Sequence, residues 1–179
     1  MRIISGKYKG RVLAGFDIDG TRPTMDRVKE SLFAIIQKYV KDSIVLDLFA
    51  GSGSLGIEAL SNGSKKCFFV DKNQELIYIL KKNTKLLEED FEIIKADYSN
   101  ALFNFKKDNI KFDIIFLDPP YKLNLINDAL NKIYKYDLLN ENGIVVCEYE
   151  MEDIDCKFYM PISNKRYGSK HITIFKNIK

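Results

Sequence analysis

The sequence predicts an α/β domain with a mostly parallel sheet that helices cover on both faces. Short apolar segments with little alternation recur along the chain, and segments with helical spacing separate them, which is typical of a buried parallel sheet. The last two apolar segments have no helix between them, so one of these strands should run antiparallel to the others. Ligands of such sheets bind beyond the carboxyl ends of the strands, and functional residues are therefore expected directly after strands.

Apolar spacing and turn residues set the expected elements in order. The chain opens with a small hairpin whose turn lies near residues 7–9. A loop follows, and Thr24 is the expected N-cap of a helix that runs to about residue 39. Further strands are predicted at 44–48, 67–70, 91–95, 112–117, 143–147, 157–160 and 171–175, and further helices at 54–61, 73–87, 99–105 and 123–136.

Length and composition limit the class of protein. The chain has 179 residues, 46% of them apolar, and one domain is expected over 1–179, with residues 1–20 as a hairpin extension. No apolar run reaches about 18 residues and the first residues lack a signal-peptide core, so a cytoplasmic protein without membrane contact is expected. Cys67, Cys147 and Cys156 share no metal-ligand spacing and are expected to be reduced. With His171 as the single histidine, no metal site is predicted.

The net charge of +3 conceals an uneven distribution of charge. Ten of the 28 basic residues lie in segments 1–13 and 157–179, which contain no acid, and all 25 acidic residues lie between those segments. Basic ends of this kind indicate binding of a polyanion such as a nucleic acid. The alternative is that short lysine-rich ends are simply solvated.

A glycine-rich loop follows the first long strand and opens a helix. Gly51-Ser52-Gly53-Ser54-Leu55-Gly56 matches the pattern G-x-G-x-x-G, which lets the backbone approach a nucleotide closely. Asp71 follows the next strand, twenty residues after Gly51, where a carboxylate can accept hydrogen bonds from ribose hydroxyls. The pattern predicts a nucleoside ligand, and the alternative is a tight turn before a helix.

Acidic residues at the strand ends indicate which nucleoside the protein binds. Asp47, at the end of the strand before the glycine loop, would repel the pyrophosphate of a dinucleotide, which argues against an NAD-dependent dehydrogenase. The ammonium and sulfonium groups of S-adenosylmethionine suit an acidic pocket instead. Asp97 and Asp118 follow the third and fourth strands and extend the acidic rim. Each of these aspartates could alternatively be a helix N-cap.

The tetrapeptide Asp118-Pro119-Pro120-Tyr121 ends the fourth strand. Two prolines stiffen the turn and remove two backbone donors, so carbonyl oxygens and the Asp118 carboxylate are available as acceptors. Tyr121 adds an aromatic face on which a base could stack. The element therefore predicts a site for an exocyclic amino group of a nucleobase, and methyl transfer to that amine would depend mainly on its orientation. The alternative is a strand-ending turn with Tyr121 on the surface.

Together these motifs resemble class I S-adenosylmethionine-dependent methyltransferases that modify exocyclic amines, with the signature Asn/Asp-Pro-Pro-Tyr/Phe. More narrowly, the chain resembles the RsmD family of bacterial small-subunit rRNA guanine-N2 methyltransferases, and the resemblance runs nearly from end to end. The segments that carry it are RIISGKYKGR (2–11), TRPT (21–24), DRVKE (26–30), VLDLFAGSG (45–53), LGIEAL (55–60), FDIIFL (112–117) and RYG (166–168). The first three carry the narrow assignment.

The resemblance implies a fold and a reaction. The fold is the class I methyltransferase (Rossmann-like) fold, a seven-stranded sheet that is mostly parallel with an antiparallel last strand, plus the N-terminal β-hairpin. The reaction moves a methyl group from S-adenosylmethionine to the N2 amine of one guanine of 16S rRNA, at position 966, and leaves S-adenosylhomocysteine. The substrate is expected within the assembled small ribosomal subunit, and the enzyme is expected to be a monomer.

The resemblance also assigns roles to residues. Asp47, Gly51 and Gly53 are expected near the methionine and sulfonium groups, Asp71 at the ribose and Asp97 at the adenine edge. The full set of expected cofactor contacts is Asp47, Phe49, Gly51, Gly53, Leu55, Asp71, Lys72, Asp97, Tyr98 and Asp118. The expected catalytic element is Asp118, Pro119, Pro120 and Tyr121. The expected RNA contacts are Arg2, Lys7, Lys9, Arg11, Arg22, Arg27, Lys165, Arg166 and Lys170.

Other activities remain open from the sequence. The same tetrapeptide serves DNA or RNA methyltransferases that modify adenine N6 or cytosine N4, although DNA enzymes usually carry a separate recognition domain. A methyltransferase for a small molecule or a protein glutamine is less compatible with the acid-free ends. A non-enzymatic ribosome-binding module would not need the intact glycine loop and tetrapeptide.

Overall fold

A computed structural model of the protein describes residues 1–15, 22–120, 125–151 and 153–179, and for 22–24 the helical backbone alone. The predicted α/β alternation is confirmed in these ranges. The helices are α1 (Arg22–Val40), α2 (Ser54–Ser61), α3 (Gln74–Thr84), α4 (Tyr98–Lys107) and α5 (Ile126–Lys135). The strands are β1 (Ile44–Asp47), β2 (Lys66–Asp71), β3 (Asp90–Lys95), β4 (Phe112–Leu117), β5 (Leu139–Tyr149), β6 (Met160–Tyr167) and β7 (Lys170–Lys176).

The strands form one seven-stranded sheet in the order β3-β2-β1-β4-β5-β7-β6. Strands β1 to β5 pair in parallel, and β7 pairs antiparallel with both β5 and β6. The antiparallel last strand predicted by the family resemblance is therefore confirmed. The strand order changes direction between β1 and β4, because β2 and β3 extend the sheet to one side and the later strands to the other. The carboxyl ends of β1 and β4 meet at this switch point, where parallel sheets bind ligands.

Helices cover both faces of the sheet, as predicted. One apolar cluster joins α1, α2 and α3 to one sheet face, and a second joins α4 and α5 to the other. Neighbouring strand residues alternate between the clusters: Val45 belongs to the first and Leu46 to the second, and both are fully buried. This double burial explains why the strands contain near-continuous apolar residues.

The N-terminal hairpin is present but short. A single antiparallel bridge joins Arg2 to Val12, and the chain turns between them with positive φ at Gly6 and Gly10. The segment is fastened to α2, because the carboxylate of Glu58 accepts hydrogen bonds from the backbone N–H groups of Ile4 and Ser5. Further contacts hold the hairpin: the Lys7 N–H donates to the Ser61 carbonyl, and Ile3 and Leu13 are buried in the apolar core.

Several predicted boundaries are wrong, including that of β5, which spans Leu139–Tyr149 instead of 143–147; two others have clear local reasons. Helix α1 begins at Arg22, ahead of the expected cap at Thr24, since Pro23 is tolerated in the first turn of a helix. Helix α3 ends at Thr84 instead of residue 87, where an i to i−3 hydrogen bond from the Leu87 N–H to the Thr84 carbonyl replaces helical bonding. The loop expected at 17–24 is wrong for its last three residues, which belong to α1, and its residues 17–21 lie outside the described residues.

The strand expected at 157–160 is also wrong. Strand β6 begins only at Met160, because Phe158 stacks on Tyr134 with ring centroids 4.3 Å apart and Tyr159 is buried against the α5 side of the sheet. The strand itself is mostly polar and exposed and contains Pro161. These features suit its position at the edge of the sheet, where a missing backbone donor costs no ladder hydrogen bond.

Candidate active site

A cavity of about 530 Å³ lies beyond the carboxyl ends of β1, β2, β3 and β4. Its volume is within the range of small-molecule sites. The structure brings into its lining most of the cofactor and catalytic residues predicted from the sequence. These are Asp47, Phe49, Gly51, Leu55, Asp71, Lys72, Asp97, Tyr98, Asp118, Pro119 and Pro120. Gly53 lies behind the lining, and Tyr121 lies outside the described residues.

Two of the loop glycines are required by their surroundings. Gly53 caps α2 with φ at 85°, a left-handed conformation that favours glycine, and a side chain there would also clash with Leu80. A Cβ at Gly56 would clash with the ring of Phe69 and the sulfur of Cys67. Gly56 thus lets α2 pack directly on β2, which keeps the glycine loop at the sheet edge.

Asp47 and Asp71 also hold the loop in place. The Asp47 carboxylate is buried and accepts a hydrogen bond of 3.0 Å from the Gly56 N–H, while Asp71 accepts one of 2.9 Å from the Gly51 N–H. Burial raises the pKa of Asp47 to about 7, with Asp71 adding to the rise and the Gly56 N–H opposing it. A cation bound beside Asp47 would favour its ionised form.

The β3 end of the cavity combines an acid with an aromatic pair. Asp97 is the N-cap of α4, since its side chain accepts from the Ser99 N–H at 3.0 Å, and it also lines the cavity. Asp97 therefore has both of the roles considered from the sequence: it caps a helix and it lines the cavity. The rings of Phe49 and Tyr98 lie 5.3 Å apart, and the Tyr98 hydroxyl donates to Asp128. These two rings form an apolar wall suited to a flat base.

Asp118 directly follows β4 and lines the cavity, next to two charged residues that the sequence did not indicate as its partners. Glu148 at the end of β5 forms an ion pair with Lys170 at the start of β7, and both line the cavity. Burial raises the pKa of the Asp118 carboxyl well above its usual range; the charge of Glu148 adds to the rise and Lys170 opposes it. Lys170, expected among the RNA contacts, thus lies inside the cavity.

The basic residues of the hairpin differ in how freely they could meet a polyanion. Arg2 forms a salt bridge with Asp26, and Lys7 forms salt bridges with Glu88 and Glu89, which raise the pKa of Lys7. Among described acids, no salt-bridge partner is found for Lys9, Arg11, Arg27, Lys165 or Arg166. Arg2 and Lys7 are thus partly neutralised by neighbouring acids, whereas the other five have no such partner among the described acids. The side chain of Arg22 lies outside the described residues.

A second groove runs between the hairpin and α1. It has a volume of about 760 Å³ and is lined by Lys9, Arg27 and the exposed Val12, among others. Met1 lines both this groove and the main cavity, so the two are adjacent. This arrangement places two of the cations without a described acidic partner beside the main cavity.

A buried ion pair, which the sequence analysis did not predict, includes the cavity-lining residue Lys29. Lys29 of α1 and Glu58 of α2 lie 3.0 Å apart, with side chains only 4% and 0% exposed. The Lys29 ammonium also donates to the carbonyl of Arg2 at 2.6 Å and to the Ser54 hydroxyl at 3.2 Å. The pair therefore joins the hairpin, α1 and the glycine-loop helix. Its only sequence signal is that both charges occur on otherwise apolar helix faces.

Within the described ranges, no helix is long and apolar enough to cross a membrane. The same part of the chain contains no cluster of histidine, cysteine or acidic side chains arranged for a metal ion.

The sheet order and the acidic cavity after the glycine loop define a class I methyltransferase domain. A family model described as Conserved hypothetical protein 95 matches residues 1–176, and the chain belongs to this family, which is the RsmD family expected from the sequence.

Individual relatives agree with this assignment. The chain is 45% identical over 154 residues to "Putative rRNA methyltransferase YlbH" of Bacillus subtilis, covering 85% of this chain and 84% of that protein. It is 38% identical over 154 residues to ribosomal RNA small subunit methyltransferase D of Haemophilus influenzae, covering 85% and 80% of the two chains. The crystal structure of a "putative methylase" from H. influenzae superposes with a TM-score of 0.80 at 33% identity and covers 99% of this chain and 98% of that one.

Proposed function

We propose that the protein methylates the N2 amine of one guanine of 16S rRNA, at position 966, within the small ribosomal subunit. The observation that carries the proposal is that one cavity contains the glycine loop, with its acidic rim, and the Asp118-Pro119-Pro120 turn. A nucleoside site and an amine site would thus share one cavity. The rRNA substrate is supported by the names of relatives at 45% and 38% identity.

The cofactor is S-adenosylmethionine, which supplies an electrophilic methyl group on a sulfonium sulfur. The lining fits this group: Asp47 provides negative charge for the cationic methionine end, Asp71 can accept hydrogen bonds from the ribose, and Phe49 and Tyr98 provide apolar surface for the adenine. Asp97 retains acceptor capacity for an amino group, because a carboxylate has more lone pairs than its capping bond uses.

The residues of the β4 turn orient the acceptor amine. A guanine N2 amine is a poor nucleophile because its lone pair is conjugated with the ring. Asp118 and the carbonyl of a following proline accept hydrogen bonds from the two hydrogens of this amine. These bonds hold the nitrogen lone pair towards the methyl group of the cofactor. The gain in rate comes from this positioning. The expected stacking of the base on Tyr121 remains part of the proposal.

Methylation of isolated small subunits tests the proposal. Subunits that lack the modification are incubated with the protein and with S-adenosylmethionine labelled in the methyl group, and the labelled nucleoside is identified. N2-methylguanosine at a single site in 16S rRNA is the expected product. Label in adenosine, cytidine or DNA would favour the alternative amino-methyltransferases.

Cofactor binding is expected to strengthen as the pH rises through about 7. Ionised Asp47, whose pKa is about 7 in the free protein, attracts the cationic cofactor, whereas the protonated form does not. Calorimetric titration with S-adenosylmethionine between pH 6 and pH 8 measures the effect, and an Asp47→Asn variant serves as the control with a flatter profile. Identical pH dependence in the two proteins would exclude Asp47 as the group responsible.

Removal of the available hairpin cations is expected to lower the salt dependence of subunit binding. In a Lys9→Ala/Arg11→Ala variant, the slope of log K against log salt should fall in magnitude by about 1 to 2, since each lost phosphate contact contributes roughly 0.7 to 0.9. The matched control is Lys106→Ala/Lys107→Ala, which removes two exposed lysines from α4. Equal slopes in both variants would mean that the hairpin cations are merely solvated.

A further inference from the structure

Glu148 and Lys170 form a charged pair in the wall of the cavity beside Asp118. Their side chains are only 10% and 26% exposed. Burying such a pair costs hydration free energy, and the attraction between the two charges seldom exceeds this cost. A fold with apolar residues of similar size in these positions would usually be as stable. A charged pair that lines a ligand cavity therefore indicates a role toward the ligand.

The position of the pair relates it to the β4 turn. Strands β4, β5 and β7 are adjacent in the sheet, with β4 parallel and β7 antiparallel to β5. The end of β5 and the start of β7 therefore lie at the same sheet edge as Asp118. Leu117 of β4 pairs with Cys147 of β5, so the next residues along the two strands, Asp118 and Glu148, lie side by side. The charge of Glu148 raises the pKa of Asp118 and that of Lys170 lowers it. An acceptor at Asp118, an acceptor at Glu148 and a donor at Lys170 thus line one side of the cavity.

The Watson–Crick edge of guanine presents complementary groups. It offers two donors, the N2 amine and the N1–H, followed by the O6 acceptor. Adenine instead has an acceptor at N1 and a donor at N6, and cytosine has an acceptor at N3 and a donor at N4. An ionised carboxylate only accepts and an ammonium only donates, so both match guanine and would oppose adenine or cytosine in the same orientation.

We propose that Glu148 and Lys170 determine the choice of base: Glu148 accepts the guanine N1–H and Lys170 donates to O6 while Asp118 holds the N2 amine. This assignment rests on the proposed guanine-N2 activity. It supplies a physical reason for guanine that neither the glycine loop nor the Asp118 turn contains, because those elements would accept any exocyclic amine.

The test compares guanine with 2,6-diaminopurine, which keeps the N2 amine but has an acceptor at N1 and an amine at position 6. Small subunits are reconstituted with 16S rRNA that carries either base at the position methylated by the wild-type protein. The ratio of kcat/KM for the two substrates is measured for wild type, Glu148→Gln and Lys170→Met. Because the ratio is internal to each protein, a loss of folded enzyme cancels.

Wild type is expected to prefer guanine by about 10- to 100-fold. Glu148→Gln should lower this preference at least tenfold, because its amide can donate to the N1 acceptor of diaminopurine, and Lys170→Met should lower it by relieving the clash of two donors. Glu150→Gln is the matched control: it removes a charge two residues from Glu148 outside the cavity lining, and its ratio should equal that of wild type.

Two results overturn the assignment, and they are distinguishable. If wild type methylates guanine and both cavity variants keep its preference, Glu148 and Lys170 do not read the base, while the proposed function stands. If the wild-type label lies on adenine or cytosine, the proposed function fails, and the base-reading role fails with it.

Discussion

An Asp118→Ala variant should lose methyl transfer by about 100-fold or more while its affinity for S-adenosylmethionine changes little. The carboxylate directly follows β4 and lines the cavity together with Pro119 and Pro120, so its expected partner is the target amine. Misplacement of a reacting group by about 1 Å can cost a hundredfold in rate. Single-turnover methylation of unmodified small subunits gives the rate, and calorimetry gives the cofactor affinity.

The control for this variant is Asp118→Asn, which keeps one acceptor oxygen, as a protonated Asp118 does, and is expected to have a rate between those of Asp118→Ala and wild type. The two variants also separate positioning from charge. At saturating cofactor, the wild-type rate should rise with pH as Asp118 ionises, at higher pH than for an ordinary carboxyl group, because burial raises its pKa. Asp118→Asn should lack this rise. A wild-type rate in Asp118→Ala would remove the positioning role altogether.

Features fixed by local sequence could be predicted. The glycine loop, its preceding strand and the Asp118 turn lie within short segments, and Asp47 and Asp118 come together because parallel strands end at the same sheet edge. The same rule placed Asp71 and Asp97 at the cavity. Asp97 also caps α4, a role that could be foreseen because a cap is a local interaction. Asp71 also holds the glycine loop through the Gly51 N–H, and this contact between distant residues could not be foreseen.

Features that depend on distant pairing could not be predicted. Glu148 and Lys170 are 22 residues apart and meet because β7 returns antiparallel to β5. The apolar residues at 158 and 159 suggested a strand, but Phe158 and Tyr159 pack against side chains of α5, whose position depends on the sheet. Charge counting could not foresee local ion pairs for a similar reason, since Lys7 meets Glu88 and Glu89 only in the folded chain.

Replacing Glu58 with glutamine is expected to lower the free energy of unfolding by about 3 to 5 kcal/mol. Such losses are typical when one partner of a buried ion pair is removed, because Lys29 remains as an uncompensated charge. Burial already lowers the pKa of Lys29, an effect that the charge of Glu58 opposes. Urea denaturation near pH 7 measures the change, and adding Lys29→Met should restore part of the loss because no buried charge then remains.

The loss of stability in Glu58→Gln should also be concentrated in the N-terminal hairpin, whereas a general destabilisation would affect the whole domain. The backbone N–H groups of Ile4 and Ser5 donate to the Glu58 carboxylate, so their hydrogen exchange should accelerate more than that of β1 or β4 amides. The matched control is Glu88→Gln, which removes an exposed hairpin partner and should leave both stability and exchange nearly unchanged. Protected Ile4 and Ser5 amides in Glu58→Gln would show that other contacts hold the hairpin. Accelerated exchange there would instead mean that one buried carboxylate sets the position of Lys9 and Arg11 relative to the cavity, and subunit binding should then weaken together with hairpin protection.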